Sequence, residues 1–91
     1  MLSIRYTKDM KQDVKRAIKR GKDVSKLEIV LDLLANMRKL PAKYKNHKLS
    51  GIYSGCFECH IEPDWLLIYK ILDDEMVLIA VATGTHSDLF W

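Results

Sequence analysis

Two adjacent segments in the second half of the chain are almost entirely apolar, and they constrain the fold more than any other feature. They are residues 65–72 (WLLIYKIL) and residues 76–82 (MVLIAVA), separated by a short acidic stretch. Runs of this kind are typical of strands that are covered on much of both faces. They are far shorter than the roughly 20 residues that a membrane-spanning helix needs. We therefore expect two neighbouring strands at the centre of a small sheet, and no membrane span.

The first half of the chain shows apolar residues at helical spacing instead. After a short strand over residues 2–6, Thr7 can cap a helix that Gly21 closes. A second helix is predicted from Ser25, where residues 25–28 (SKLE) match a capping box, as far as Pro41. The predicted buried stripes of the two helices are Met10, Val14, Ala17 and Ile18, then Leu27, Val30, Leu31, Leu34 and Met37.

The order of these patterns predicts an α+β fold with a single domain over residues 1–91. An N-terminal strand and a helical hairpin pack on one face of a small antiparallel sheet, in the order β-α-α-β-β-β(-β). Residues 83–85 end the last strand and residues 86–91 form a short tail. Alternation along the strands assigns these residues to the helix-covered face: Phe57, Cys59, Ile61, Leu67, Tyr69, Ile71, Val77, Ile79 and Val81. The open face receives Cys56, Glu58, His60, Leu66, Ile68, Lys70, Leu78, Ala80 and Ala82.

Charge is distributed very unevenly along the chain. Residues 1–48 contain 14 of the 15 Lys and Arg residues and 5 acidic residues, whereas residues 49–91 contain one base and 7 acidic residues. The strongly basic first half of the chain indicates a polyanion or an acidic protein as partner. A solvated helix surface accounts for the lysines equally well. The N-terminus has no secretory apolar region, so we expect a cytoplasmic protein.

Residues 56–60 (CFECH) match the C-x-x-C-H pattern of covalent haem attachment. The segment alternates like a strand, so Cys56 and Cys59 should point to opposite faces and cannot both reach one porphyrin. A zinc site from both cysteines and His60 would need a tight knuckle rather than a strand. We therefore predict packed, reduced thiols, with no metal and no cofactor.

Three histidines and one aspartate are the best candidates for chemistry. His47, His60 and His86 lie at the edges of predicted elements or on the open face, and Asp64 lies in the turn after His60. Histidine both accepts and donates protons near neutral pH. RNA cleavage needs such groups, because the ribose 2′-OH must lose a proton and the leaving 5′-oxygen must gain one. The pentacoordinate phosphate also needs positive charge or hydrogen-bond donors nearby, and no metal is required.

Three segments carry a family resemblance: residues 47–51 (HKLSG), 59–69 (CHIEPDWLLIY) and 83–90 (TGTHSDLF). They resemble the YafQ branch of the RelE/ParE toxin superfamily, and the similarity extends over essentially the whole chain. The resemblance implies a toxin of a type II toxin–antitoxin pair that cuts mRNA on the 70S ribosome without a metal. It also implies a cognate acidic antitoxin as partner, and binding of operator DNA only as the toxin–antitoxin complex.

Roles for individual residues follow from the same resemblance. His47, His60, Asp64 and His86 would be the acid–base and positioning groups. Trp65 and Phe90 would line the substrate site, where exposed aromatic rings can stack on bases. Lysines of the basic half would hold ribosomal RNA; these are Lys8, Lys11, Lys15, Lys19 and Lys22.

The chain departs from the family pattern at one position that matters. Ala82 stands where relatives carry an arginine, directly before the Thr-Gly-Thr-His segment, and Phe57 stands where many carry a basic residue. Three explanations remain open at this stage. Ala82 is an engineered inactivating change, the chain is a naturally weak nuclease, or Lys45 and Lys48 supply the charge from the preceding loop. We expect restoring the arginine to increase toxicity.

Two other functions are compatible with the sequence. The same superfamily includes toxins that bind DNA gyrase and carry out no RNA chemistry, but such a protein has no need of the histidines. A small metal-binding module is the second, weaker alternative.

Overall fold

The computed structural model describes residues 1–90, and their strands and helices follow the predicted α+β order. The strands are β1 (Ser3–Tyr6), β2 (His47–Lys48), β3 (Phe57–Glu62), β4 (Trp65–Leu72) and β5 (Val77–Gly84). The helices are α1 (Lys8–Lys19), α2 (Val24–Ala35) and α3 (His86–Phe90). None of the helices within residues 1–90 is long and apolar enough to cross a membrane.

The five strands form one sheet in the order β1-β5-β4-β3-β2. The pairs within β2 to β5 are antiparallel, as expected for a meander, and the two long apolar strands lie side by side at the centre. One detail differs from the prediction, because β1 lies within the sheet as a parallel neighbour of β5 rather than on its face. This position pairs backbone groups that would otherwise stay unsatisfied; for example, Ser3 N–H donates to the Met76 carbonyl.

The first helix begins and ends where the sequence predicts. The Thr7 hydroxyl accepts a hydrogen bond from the Met10 amide at 3.0 Å, which satisfies a free donor at the helix start. Gly21 follows the helix with φ of 80°, a left-handed conformation that glycine adopts without strain. Ile18 is an exception to the predicted stripe, because its side chain is 57% exposed.

The second helix differs at both ends. Asp23, not Ser25, is the N-cap, and its carboxylate accepts from the Ser25 amide at 3.0 Å. The helix ends at Ala35, well before Pro41, and Met37 adopts φ of 59° beyond it. Met37 is therefore 63% exposed and is not part of the buried stripe.

The helices cover one face of the sheet and form the main core with it. Met10, Leu27 and Val30 from the helices pack with Leu67 and Trp65 of β4. A smaller cluster lies on the open face, and its buried members are Cys56, Leu66, Ile68, Ala82 and Leu89. Residues 86–90, predicted to be a tail, form the helix α3 instead. Trp91, the last residue of the predicted tail, lies outside the described residues.

The face assignment is correct for β3 and β4 but wrong for much of β5. Cys56 and Cys59 lie in opposite clusters, as predicted. Leu78 and Ala80, however, lie on the helix-covered face, and Val81 packs against the open-face cluster. The cause is a β-bulge in the pairing of β4 with β5, which inserts one residue and reverses the alternation beyond it.

Candidate active site

The three histidines, distant in sequence, lie side by side at one end of the sheet. The ring centroids of His60 and His86 are 5.5 Å apart, and those of His47 and His60 are 6.5 Å apart. His47 and His86 have side chains that are 52% and 53% exposed, whereas His60 between them is 17% exposed. The rings therefore form a row that opens to solvent, as a site for a large substrate requires.

Different elements place each ring in this row. His47 starts the edge strand β2 and pairs with Glu58 of β3, while His60 points from the same face of β3 two residues later. His86 begins α3 directly after β5. Asp64 lies in the turn between β3 and β4, beside that helix start.

His86 is held by Asp64 through two hydrogen bonds. The Asp64 carboxylate accepts from the His86 backbone amide at 2.9 Å and contacts His86 Nδ1 at 2.6 Å. These hydrogen bonds, the backbone one first, hold the pKa of Asp64 below its usual value. Because a carboxylate only accepts, Nδ1 carries the proton, and Nε2 of a neutral His86 is left as the acceptor.

Glu58, which was predicted to lie on the open face but was not among the predicted site residues, contacts the histidine row. Its side chain is only 6% exposed, and one carboxylate oxygen lies 3.0 Å from His60 Nε2 and 3.5 Å from His47 Nε2. His47 Nδ1 in turn lies 2.9 Å from the carbonyl of Lys45. A buried carboxylate that lies this close to two imidazoles restricts the orientation of both rings. The signal was present in the sequence, because alternation put Glu58 and His60 on one face.

The short helix α3 is anchored to α1 by charged groups. Thr85 and Asp88 form a capping box: the Thr85 amide donates to the Asp88 carboxylate at 2.9 Å, and the Asp88 amide donates to the Thr85 hydroxyl at 3.1 Å. Arg20 contacts the same carboxylate at 2.6 Å. The Arg20 hydrogen bond, followed by that from the Thr85 amide, lowers the pKa of Asp88 well below its usual range.

Replacing Asp88 with alanine should lower the midpoint of thermal unfolding near neutral pH by about 4–8 °C, the effect of losing about 1 kcal/mol in a domain of this size. Because the folded-state pKa of Asp88 is depressed, its stabilisation is full above the unfolded-state value of about 4 and is lost as the pH falls below it. The difference from the unmodified chain should therefore shrink in acid. Asp74→Ala, at an exposed turn carboxylate, is the control; an equal loss in both variants would contradict the anchoring role.

The two aromatic candidates have different environments. Trp65 is 1% exposed in the main core, and its Nε1 donates to the Thr83 hydroxyl at 3.0 Å. The expectation that Trp65 lines the substrate site is therefore wrong, because a ring sealed in the core cannot stack on a base. Phe90 is 45% exposed and packs edge-on against Tyr53 at 5.6 Å, so one face of its ring is accessible.

The basic candidates lie in two places. Lys45 and Lys48 are exposed on the loop and strand that carry His47. The exposed lysines of α1 lie on the helix that covers the opposite face of the sheet, and these are Lys8, Lys11, Lys15 and Lys19. Lys22 is different, because its ammonium is paired with Glu62 at 2.8 Å. Lys22 is therefore the least available of the five lysines predicted to contact RNA.

Ala82 lies on the same face as His60, as predicted, but only 6% of it is exposed. It packs with Leu66 and Ile68 beneath Leu89 of α3. The position that carries charge in the family pattern is therefore apolar here.

Three side chains of the site form a set that fits a metal ion. Ligand atoms of Glu58, His60 and His86 all lie within 4.8 Å of one another. One carboxylate and two imidazoles suit zinc or copper. This set differs from the cysteine-based zinc site considered from the sequence, since Cys56 and Cys59 lie on opposite faces.

Comparisons with known proteins identify relatives of this chain in sequence and in overall fold. The mRNA interferase toxin YafQ of Escherichia coli K12 is 47% identical over 88 residues, which cover 96% of this chain and 94% of that protein. The toxin in the E. coli DinJ–YafQ toxin–antitoxin complex superposes with a TM-score of 0.88 at 45% identity, over 99% of this chain and 98% of that one. A metal-bound toxin from Helicobacter pylori gives a TM-score of 0.93 at 41% identity, over 99% of this chain and 100% of that one.

Residues 2–91 match a protein family that is described as "Bacterial toxin of type II toxin-antitoxin system, YafQ". The match covers almost the whole chain, and it includes the histidine row, the aspartate and the anchored helix. It also separates the two superfamily branches that the sequence alone left open. The chain belongs to the YafQ family of type II toxin–antitoxin toxins.

Proposed function

We propose that the chain is an mRNA interferase, a single-domain toxin that cuts mRNA on the ribosome. The observation that carries this proposal is the solvent-open row of His47, His60 and His86, with Glu58 and Asp64 holding the rings. The similarity to a YafQ toxin named as an mRNA interferase supports it. A gyrase-binding toxin would have no use for histidines oriented in this way.

The chemistry that fits these groups is attack of a ribose 2′-OH on the adjacent phosphate. One imidazole takes the proton of the 2′-OH, and another gives a proton to the departing 5′-oxygen. The products are a 2′,3′-cyclic phosphate and a 5′-hydroxyl, so no water is consumed in this step. Asp64 and Glu58 position the rings and stabilise their charged forms as the protons move.

Negative charge builds up on the phosphate during this step, and the chain meets it without the arginine of its relatives. Lys45 and Lys48 are the nearest free cations in sequence to the row, and both are exposed beside His47. An imidazolium at His47 or His60, held by Glu58, adds positive charge on the other side.

Ala82→Arg is expected to raise the rate of mRNA cleavage by up to about 10²-fold relative to Ala82→Met. This is the usual effect of one preorganised hydrogen-bond donor on the rate of such a reaction. Both side chains must leave the same apolar cluster, but only arginine carries a charge at its tip. Single-turnover cleavage of mRNA on purified ribosomes measures the difference. Equal rates for the two variants would mean that the loop lysines already supply the charge.

Metal binding bears directly on this mechanism, because Glu58, His60 and His86 would be the ligands. A cation bound there would supply a Lewis acid. The same three side chains would then be unable to exchange protons freely, since metal coordination uses the imidazole lone pairs. The proposed acid–base mechanism therefore applies to the chain when Glu58, His60 and His86 hold no metal.

The partner that the comparisons support best is a cognate antitoxin, since the chain is similar to the toxin of the DinJ–YafQ complex. We propose that this antitoxin is acidic and neutralises the basic half of the chain. The 70S ribosome with its mRNA is the proposed substrate, with ribosomal RNA on the exposed lysines of α1. Binding of operator DNA is proposed only for the toxin–antitoxin complex, and the proposed location is the cytoplasm.

A purified translation system tests this function. We expect the chain to cut mRNA when ribosomes are present and to leave the same mRNA intact without them. A parallel supercoiling assay with DNA gyrase tests the alternative. Inhibition of gyrase with intact mRNA would overturn the proposal in favour of a gyrase-binding toxin.

A further inference from the structure

The phenol of Tyr69 is a buried polar group that the proposed reaction does not use. Tyr69 lies in β4 on the helix-covered face, where it is 2% exposed and its ring stacks on Phe57 at 5.7 Å. Burial raises the pKa of Tyr69 to about 12, so the hydroxyl keeps its proton near neutral pH. This hydroxyl donates to Asn46 Oδ1 at 2.7 Å, and Asn46 directly precedes His47 in the chain. The main core therefore contacts the residue next to one end of the histidine row.

Asn46 and His47 are neighbours in the chain, but their side chains meet different faces of the sheet. The His47 ring belongs to the histidine row, beside His60. The Asn46 carboxamide instead reaches Tyr69, which belongs to the core under the helices. The route from the core to the row at this edge of the sheet is thus one hydrogen bond followed by the backbone.

The backbone on the other side of Asn46 contacts the His47 ring directly. Lys45 has φ of 49°, a left-handed conformation, and its carbonyl oxygen lies 2.9 Å from His47 Nδ1. Because a carbonyl only accepts, Nδ1 carries the proton, and Nε2 of a neutral His47 is left to take up another. The Lys45 carbonyl and the Asn46 amide belong to one planar peptide group. A contact that holds Asn46 therefore also holds the carbonyl that orients the ring.

We propose that Tyr69 is a positioning residue, which acts through Asn46 and the Lys45 carbonyl to hold the His47 ring with Nε2 as its proton acceptor. The catalytic consequence rests on the proposed nuclease function, whereas the state of the ring is measured without RNA. A reacting group that is misplaced by about 1 Å can lower a rate by roughly 10²-fold. Tyr69 itself would not touch RNA, because it is buried on the face opposite the row.

The pairing of β2 with β3 is the competing explanation for the position of His47. This pairing covers only His47 and Lys48, which lie opposite the first two residues of β3. It places the backbone of His47, but the Lys45 carbonyl lies outside the strand. The ring contact therefore depends on the loop before β2, where the Tyr69 hydroxyl holds Asn46.

Four variants of the full chain separate the hydrogen bond from the packing. Tyr69→Phe removes the donor and keeps the stacked ring, whereas Asn46→Leu removes the acceptor at an exposed loop residue. Asn46→Asp keeps an acceptor for the hydroxyl and is the conservative variant. Tyr6→Phe is the matched control, because Tyr6 also packs against the main core but lies in β1, at the edge of the sheet opposite β2.

Nitrogen-15 chemical shifts of the His47 ring, recorded at a pH where the ring is neutral, show which nitrogen carries the proton. In the unmodified chain we expect the proton on Nδ1. Tyr69→Phe and Asn46→Leu should both give shifts that indicate a mixture of the two tautomers, because the Lys45 carbonyl is no longer held. Asn46→Asp and Tyr6→Phe should keep the shifts of the unmodified chain.

Single-turnover cleavage of mRNA on ribosomes measures the consequence for the reaction. We expect Tyr69→Phe and Asn46→Leu each to be about 10- to 100-fold slower than the unmodified chain. The double variant should be no slower than either single one, because both changes break the same contact. Asn46→Asp and Tyr6→Phe should remain within a few-fold of the unmodified rate.

Unchanged His47 shifts in Tyr69→Phe would overturn the proposal, since the tautomer would then not depend on the hydroxyl. An equal loss of rate in Tyr69→Phe and Tyr6→Phe would also overturn it, by showing a general effect of disturbing the core. If Tyr69→Phe does not fold, Asn46→Leu gives the same test from the exposed side of the contact. If the unmodified chain leaves mRNA intact on ribosomes, the proposed function fails, while the shifts still decide whether Tyr69 positions His47.

Discussion

Replacing His86 with glutamine is expected to lower the rate of mRNA cleavage by about 10²–10⁴-fold, the usual contribution of one acid–base group. Glutamine can still donate a hydrogen bond to Asp64 and can occupy the start of α3. It cannot take up or release a proton, so the change isolates the chemistry from the architecture. Single-turnover cleavage on stalled ribosomes gives the rate, and the melting temperature shows whether the fold is intact.

Ser87→Gln is the matched control for this variant, because Ser87 is exposed on the same short helix. We expect Ser87→Gln to cleave mRNA within a few-fold of the unmodified chain. The cleavage rate of Asp64→Asn should lie between those of His86→Gln and Ser87→Gln. The asparagine occupies the same position but lacks the charge that stabilises a protonated His86. Full activity in His86→Gln would remove His86 from the chemistry and leave His60 and His47 as the acid–base pair.

Replacing Trp65 with alanine is expected to reduce the free energy of unfolding by about 3–5 kcal/mol, because it empties a large volume in the main core. The indole is 1% exposed and also donates to Thr83, whose hydroxyl donates to the Leu66 carbonyl at 2.6 Å. A loss of this size is a large part of the 5–15 kcal/mol that a typical domain has in total. Urea unfolding of the variant, followed by circular dichroism, measures the change.

Trp65→Phe separates the packing of this ring from its hydrogen bond. It keeps most of the aromatic volume and leaves the Thr83 hydroxyl without one donor, so we expect a smaller loss of about 1–3 kcal/mol. Both variants should bind a short 2′-O-methylated RNA, which cannot be cut, as tightly as the unmodified chain under conditions where they are folded. Unchanged stability combined with weakened RNA binding would reverse the structural assignment and return Trp65 to the substrate site.

Local patterns were sufficient to predict much of this fold. The apolar runs identified the central strands, Thr7 and Gly21 marked the ends of α1, and alternation placed Cys56 and Cys59 on opposite faces. Each of these follows from interactions between residues close in sequence, or from the fixed alternation of side chains along a strand.

The errors arose where distant contacts decide the structure. The bulge opposite β4 that reverses the alternation in β5 depends on strand pairing, which no local pattern records. Trp65 was assigned to the substrate site through the resemblance, although its neighbours in space bury it. Glu58 was overlooked because its role appears only when β2 brings His47 beside it. The site residues that were predicted correctly as neighbours are the three histidines and Asp64, whose side chains are of the kinds that acid–base chemistry needs.

The central claim is that side chains of the histidine row cut RNA by moving protons, with the 2′-OH as the nucleophile. The chemistry of the new RNA ends tests it most directly. We predict that mRNA fragments made on ribosomes by the purified chain carry a 5′-hydroxyl on one side of the cut and a 2′,3′-cyclic phosphate on the other. Fragments with a 5′-phosphate would mean that water or hydroxide, rather than the ribose, attacked the phosphate, and would contradict the mechanism proposed for the histidine row.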